Sequence, residues 1–70
     1  MLLNTLNITY VLEYYTKLGI IVNDTFNTKY LNTVSFTTEE ALLSYISGLQ
    51  KDTYFVGIKS IRCIKEFELV

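Results

Sequence analysis

The chain contains no histidine, no proline and no tryptophan, and it has only one cysteine and three glycines in 70 residues. The usual zinc sites need histidine and cysteine, thiol nucleophiles need a histidine as base, and phosphate-binding loops need closely spaced glycines. None of these sites can be assembled within one copy of the chain. The sequence therefore predicts a protein that is not an enzyme and that carries no metal and no cofactor.

Charged residues are also scarce. Six Lys and Arg residues stand against seven Asp and Glu residues, which leaves a formal net charge of −1. Affinity for DNA or RNA comes chiefly from a surplus of basic side chains that neutralise phosphates. The basic residues Lys59, Arg62 and Lys65 are followed at once by Glu66 and Glu68, so we expect a solvent-facing strand there. Nucleic-acid binding is kept only as an alternative function.

Signals for secretion and for membrane insertion are absent from the sequence. Residues 1–7 include no basic residue and no small-residue cleavage site, and the apolar run 18–22 is far shorter than the roughly 20 residues that span a bilayer. Cys63 has no partner for a disulfide within the chain, which fits a reducing compartment. These features predict a cytoplasmic protein without a membrane segment.

The length and the apolar content define a single small domain, residues 1–70. Half of the residues are apolar and 19% are charged, which is typical of a chain that folds. A domain of this length buries only about 60% of its unfolded surface and commonly needs a disulfide, a metal or a partner. With the first two missing, we expect homo-oligomerisation or a protein partner to supply the stability.

The first half of the chain has mainly the pattern of β-strands. Residues 8–16 are rich in β-branched and aromatic side chains, with Tyr10, Leu12 and Tyr14 on one face. A helix is also open here, because apolar residues recur at intervals of three and four up to Leu18. In the strand interpretation, Gly19 makes a turn, residues 20–22 form a second strand, residues 25–32 form a loop or loose hairpin, and residues 31–36 form a third strand.

A helix follows these strands. Thr37 and Glu40 have the spacing of a capping box, in which each side chain bonds the other residue's backbone N–H. The helix is expected to end near Lys51. Its apolar stripe consists of Ala41, Leu42, Tyr45, Ile46 and Leu49.

The last segment, residues 54–69, returns to a strand pattern but changes phase. Val56 and Ile58 occupy even positions, whereas the later apolar residues, from Ile61 onwards, occupy mainly odd ones. One extra residue near Lys59 and Ser60, a β-bulge, explains this change. The resulting fold is α+β: a three- or four-stranded, mostly antiparallel sheet with one helix packed on one face, in the order ββ(β)αβ.

The face of this sheet that the helix leaves open is the predicted binding surface. It carries Val11, Tyr15 and Ile64, whereas Cys63 is expected to be buried as a small apolar residue. Tyr10, Tyr14 and Tyr45 fit the core, and the other tyrosines have no such place. Tyrosine is enriched at interface hot spots. The candidate partner-binding residues are Tyr15, Tyr30, Phe26, Tyr54, Val11 and Ile64.

Several short stretches together resemble small accessory proteins of bacteriophages that infect low-GC Gram-positive bacteria. The resemblance implies a non-enzymatic protein that binds and blocks a host protein of defence, transcription or replication, and it assigns no functional residue. A structural homo-oligomer that assembles through a sheet edge or the open face is the alternative. The stretches are Tyr10-x-Leu12-x-Tyr14-Tyr15, Gly19, Phe36-Thr37-Thr38-Glu39-Glu40-Ala41, Tyr45-Ile46, Ile58-x-x-Ile61 and Glu66-Phe67-Glu68-Leu69.

Overall fold

The computed structural model describes residues 1–17 and 29–70. These residues form one three-stranded antiparallel sheet and one helix, consistent with the expected α+β class. The strands lie in the order β2-β1-β3, so β1 is central. The predicted turn at Gly19, the strand at 20–22, most of the loop at 25–32 and the candidate Phe26 lie outside the described residues. The elements are β1 (Leu3–Lys17), β2 (Lys29–Phe36), α1 (Glu39–Leu49) and β3 (Phe55–Leu69).

The strand interpretation of the first segment is confirmed, and the helical alternative is wrong. β1 is 15 residues long and begins at Leu3, well before the predicted start at residue 8. It pairs with β2 from Tyr10 to Lys17, and with β3 from Leu3 to Thr16. In the described residues, β1 therefore has neighbours on both sides only over its second half.

The helix begins one residue later than the capping-box pattern indicated. Phe36 still pairs with Tyr10, so the chain leaves the sheet through Thr37, and Thr38 becomes the N-cap. The Ala41 N–H donates to the Thr38 hydroxyl oxygen at 3.2 Å. This N-cap leaves two acidic residues in the first turn, where the helix dipole favours negative charge. The helix ends at Leu49, with its C-cap at Gln50, slightly before the expected end near Lys51.

The core lies at one end of the sheet. Leu12 is fully buried, and Tyr14 of β1 packs with Leu42 and Leu49 of α1. Pairing of Leu12 with Val34 and of Tyr10 with Phe36 places these side chains on the same face of the sheet. The partly buried residues around this cluster are Tyr10, Val34, Phe36, Tyr45, Ile46 and Phe55.

The predicted irregularity in the last strand is confirmed. Glu13 pairs with Ser60 and Tyr14 pairs with Ile58, so Lys59 is the extra residue of a bulge. Two further shifts leave Leu6 of β1 and Val56 of β3 without a direct partner. Each extra residue changes the phase of the side-chain alternation, which keeps apolar residues on one face along a very long strand pair.

Candidate functional site

The β1–β3 pair extends far beyond the helix. An 11-residue helix is about 16 Å long, whereas a 15-residue strand spans about 50 Å. The principal-axis extents are 60 × 20 × 12 Å, and the Cα radius of gyration is 16.6 Å, against about 11 Å for a compact domain of this length. We call residues 3–9 of β1 and 64–69 of β3 the distal ribbon. α1 cannot cover it.

The side of the ribbon that continues the core face is apolar. Leu12 pairs with Ile61, and paired residues point to the same side of a sheet, so Ile61 lies on the face that carries the core. The pairs Ile8–Lys65, Thr5–Phe67 and Leu3–Leu69 continue this face, with Leu6 as the extra residue between them. We call the following set, whose members are 36% to 66% exposed, the apolar ribbon face: Leu3, Ile8, Ile61, Phe67 and Leu69.

The opposite side of the distal ribbon is mainly polar and acidic. Its pairs are Asn4–Glu68, Asn7–Glu66 and Thr9–Ile64. Nearer the core on this side, Glu13 accepts a hydrogen bond from the Ser60 hydroxyl at 2.8 Å, and its carboxylate lies 3.5 Å from Arg62 Nη2. The two sides of one strand pair thus differ in chemistry. Burial of apolar surface gains free energy, and the apolar side carries several large exposed apolar residues, against Ile64 on the opposite side of the ribbon. On that side, Lys65 opposite Ile8 is the charged residue.

Three of the predicted contact residues lie on the outer face, as expected, but one of them is not available there. Val11 is only 8% exposed, because it occupies the central strand between Ser35 and Arg62. The expectation that Val11 forms part of an uncovered surface is therefore wrong. Ile64, opposite Thr9, is 45% exposed, and Tyr15 is half-buried.

The other predicted contact residues lie at the end of the sheet remote from the distal ribbon. Tyr30 pairs with Thr16, and the Tyr54 carbonyl accepts a hydrogen bond from the Lys17 N–H at 2.9 Å. Both tyrosines are exposed. The structure therefore brings Tyr30 and Tyr54 to one end of β1, whereas Ile64 lies opposite its middle.

Cys63 is exposed, so its predicted burial is wrong. It pairs with Tyr10 and lies on the core face of the sheet, but that part of β3 lies outside the core cluster that α1 covers. The alternation of apolar residues in the sequence correctly predicted that Cys63 lies on the core face of the sheet. It did not show that α1 is too short to cover that face as far as Cys63.

Tyr14, which is buried, and Tyr45, which is half-buried, form a structural pair at the core. The Tyr14 and Tyr45 hydroxyl oxygens are 2.7 Å apart, and the two rings meet edge to face at 6.0 Å. The hydrogen bond with Tyr45, followed by burial and by the nearby charges of Tyr45 and Asp52, raises the pKa of Tyr14 to about 12. In the folded protein, the Tyr14 phenol therefore stays neutral at pH values at which an ordinary tyrosine with a pKa of 10.0 has lost its proton.

Sequence reasoning did not find the apolar ribbon face. The signal was available, because the odd-numbered apolar residues of the last strand continue to Leu69. A helix that ends near residue 50 is too short to cover two strands of that length. The sequence did not predict that β1 begins at Leu3, because residues 3–7 mix leucine with asparagine and threonine and show no clear alternation.

Comparison of the chain with protein-family models, with curated proteins and with solved structures gives no match. Over residues 1–17 and 29–70, no helix has both the length and the apolar character needed to cross a bilayer. Within the same residues, no three Cys, Asp or Glu side chains lie close enough together to hold a metal ion.

Proposed function

We propose that this chain is a non-catalytic protein that binds another protein through the apolar ribbon face and acts by covering the partner's surface. The observation that supports the proposal is the exposure of the five large apolar side chains of this face, four on one side of the distal ribbon and Ile61 beside them, whereas the opposite side is mainly polar. Contiguous exposed apolar patches on small proteins mark interaction sites.

The chemistry of this face defines the partner's surface. The strand pair presents leucine, isoleucine and phenylalanine with one cation, Lys65. Its complement is an apolar surface with an acidic residue at its margin. Since α1 packs on the same side of the sheet near Leu12, the partner would lie beside the helix and along the ribbon.

The biological setting follows from the resemblance to phage accessory proteins. A chain of this kind occludes a host protein in the bacterial cytoplasm, and inhibition by occlusion needs no catalytic residue. Seventy residues in an elongated form suit this role, because a long strand pair contacts a large area for its mass.

The outer face is the rival surface. The predicted contact residues Tyr15 and Ile64 lie there, and Tyr30 and Tyr54 flank the far end of β1. The outer face has fewer exposed apolar side chains on the distal ribbon, because its pairs include Asn4–Glu68 and Asn7–Glu66. Ile64 and Phe67 therefore make a matched pair for a test, with exposures of 45% and 51% on opposite sides of one strand.

Photo-crosslinking distinguishes the two faces. A benzoylphenylalanine replaces either Phe67 or Ile64, and each protein is irradiated in a lysate of a low-GC Gram-positive bacterium. We expect a discrete crosslinked protein from position 67 and little from position 64. Excess unlabelled wild type should suppress the product, and a Phe67→Asp competitor should not.

An Ile64→Asp competitor is the matched control and should suppress the product as well as wild type does. Equal crosslinking from both positions, or competition by Phe67→Asp as strong as that by wild type, would contradict the proposed surface. A stronger crosslinked product from position 64 than from position 67 would show that the partner binds the outer face.

Self-assembly is the second candidate function. It is favoured by one specific observation, the absence of charge along the edge of β1 that carries no strand in the described residues. This edge also supports an inference that does not depend on the identity of any other partner.

A further inference from the structure

The two edges of the distal ribbon differ in the features that normally protect an exposed strand. Proteins protect such edges with charged side chains, proline and bulges. β3 is an outer strand of the sheet, and within the ribbon it carries the charged residues Lys65, Glu66 and Glu68. The two bulges of β3 lie nearer the core, and the bulge of β1 lies within the ribbon at Leu6, so the two edges of the ribbon differ in charge. Residues 3–9 of β1 contain neither a charged residue nor a proline.

The edge of β1 carries no partner strand over these residues in the part of the chain that the structure describes. β2 pairs with β1 only from Tyr10 onwards. Lys17 and Lys29, which flank residues 18–28, pair with each other at the opposite end of β1. Among residues 1–17 and 29–70, no strand pairs with the outward backbone N–H and C=O groups of residues 3–9.

The tip of this edge is fixed by backbone hydrogen bonds. Leu2 and Val70 exchange two backbone hydrogen bonds of 2.8 Å, which closes the ribbon at its tip. Hydrogen-bonded and non-hydrogen-bonded pairs alternate along an antiparallel ladder, so the backbone N–H groups of Leu3 and Thr5 point away from β3. These outward-pointing donors are available to a strand that adds to this edge.

We propose that residues 3–8 of β1 pair, antiparallel, with the same residues of a second copy, so that two sheets join into one. The segment is complementary to itself about a two-fold axis. Leu3 comes opposite Ile8, and Asn4 comes opposite Asn7. The extra residue Leu6 changes the phase, so that the members of each pair share a side of the sheet.

A second copy suits this edge better than a charged partner strand does. Two uncharged segments meet without repulsion, and the asparagine side chains can hydrogen-bond across the axis. Pairing converts two strand pairs, each of marginal stability alone, into a four-stranded sheet in the order β3-β1-β1-β3. It also places both apolar ribbon faces on the same side. This association is a property of the purified chain, so its test is separate from that of the proposed function.

Proline substitutions test the edge with a matched control. Leu3 and Leu69 face each other, and the N–H of each points away from the ribbon, so Leu3→Pro removes a donor from the edge of β1 and Leu69→Pro removes one from the edge of β3. Thr5→Pro is a second variant on the edge of β1. Neither change to β1 removes a hydrogen bond within the ribbon.

Light scattering after size exclusion gives the mass of each protein. We expect wild type and Leu69→Pro at twice 8.1 kDa. In Leu3→Pro and Thr5→Pro, two symmetric hydrogen bonds are lost per dimer, so the dissociation constant of the dimer should rise at least about tenfold. A monomeric wild type at about 1 mM, or equal dissociation of Leu3→Pro and Leu69→Pro, overturns the proposal.

Amide hydrogen exchange of the wild-type protein tests the same pairing without any substitution, and therefore applies even if the proline variants do not fold. The amides of Leu3 and Thr5 should be protected at high protein concentration and should exchange faster after dilution. Exchange of these two amides at the same rate at every concentration overturns the pairing. Protection of the β3 edge instead would place the contact on the other strand.

Discussion

At the scale of single residues, burial separates side chains that the sequence does not distinguish. The predicted core positions of Tyr10, Tyr14 and Tyr45 are confirmed, since Tyr14 is buried and the other two pack against the core. Cys63 belongs to the same alternation as Ile61, but both are exposed. Alternation shows which face a side chain occupies, whereas burial also requires an element above it.

Tyr14 gives a pH dependence of stability with a definite sign. Its pKa of about 12 in the folded protein exceeds the ordinary value of 10.0, so folding favours the neutral phenol. The stabilisation is complete below pH 10 and is lost as the pH rises from 10 to 12. In urea unfolding, the wild-type free energy of unfolding should fall between these pH values by about 1 to 2 kcal/mol more than that of Tyr14→Phe.

Tyr30→Phe is the control for this effect, because Tyr30 is exposed and has no hydroxyl partner among the described residues. Its stability should follow the wild-type curve. Equal pH profiles for wild type and Tyr14→Phe would show that the Tyr14–Tyr45 hydrogen bond does not favour the neutral phenol.

At the scale of elements, the bulges let two 15-residue strands keep one apolar side. Lys59 separates Ile58 from Ser60 in the ladder, so that Ile58 and Ile61 share the core face although they are three residues apart. This bulge could be predicted because apolar residues on both sides of it show the phase change. The bulges at Leu6 and Val56 could not be predicted, because the sequence around each of them lacks a long alternation of apolar and polar residues.

A pair of deletions tests the role of the bulge at Lys59. Deleting Lys59 leaves Ile58 next to Ser60 and removes this bulge from the ladder, so the stability should change by no more than about 1 kcal/mol. Arg62 has a direct partner in Val11, so its deletion shifts the register and turns the side chains of β3 on one side of the deletion to the opposite face of the sheet. This deletion should lower the melting temperature by at least about 5 °C. Thermal unfolding followed by circular dichroism measures both.

The deletion of Arg62 is also the control for shortening the strand by one residue. If both deletions destabilise the protein equally, strand length matters and register does not. A much more stable protein without Lys59 would mean that the bulge is maintained for binding at a cost in stability.

At the scale of the whole molecule, the distribution of charge decides between partner classes. The net charge is −1, and the tip of the ribbon carries Glu66 and Glu68 on its polar side. Phosphate contacts require a local surplus of basic residues. The apolar ribbon face adds to this argument, because the charged residue among its apolar side chains is a single lysine, Lys65.

We therefore expect no binding to DNA. A fluorescent duplex of about 20 base pairs should show no change in anisotropy at about 50 mM salt with up to about 10 μM protein. The double variant Glu66→Lys with Glu68→Lys should bind weakly, and its affinity should fall steeply as salt is raised. Saturable, salt-sensitive binding of the wild type would favour the nucleic-acid alternative.

The sequence by itself determined the class of secondary structure, the helix and its apolar stripe, the phase change at Lys59 and the lack of groups for the usual catalytic sites. These features are local, since they follow from the spacing of neighbouring residues. Four features came only from the tertiary structure: the pairing of Leu3 with Leu69, the exposure of Cys63 beyond the helix, the burial of Val11, and an uncharged edge of β1 that pairs with no strand among the described residues. Each depends on which distant segments meet and how far they run side by side. The candidate binding surface belongs to this second group, because exposure is a relation between elements and not a property of any one segment.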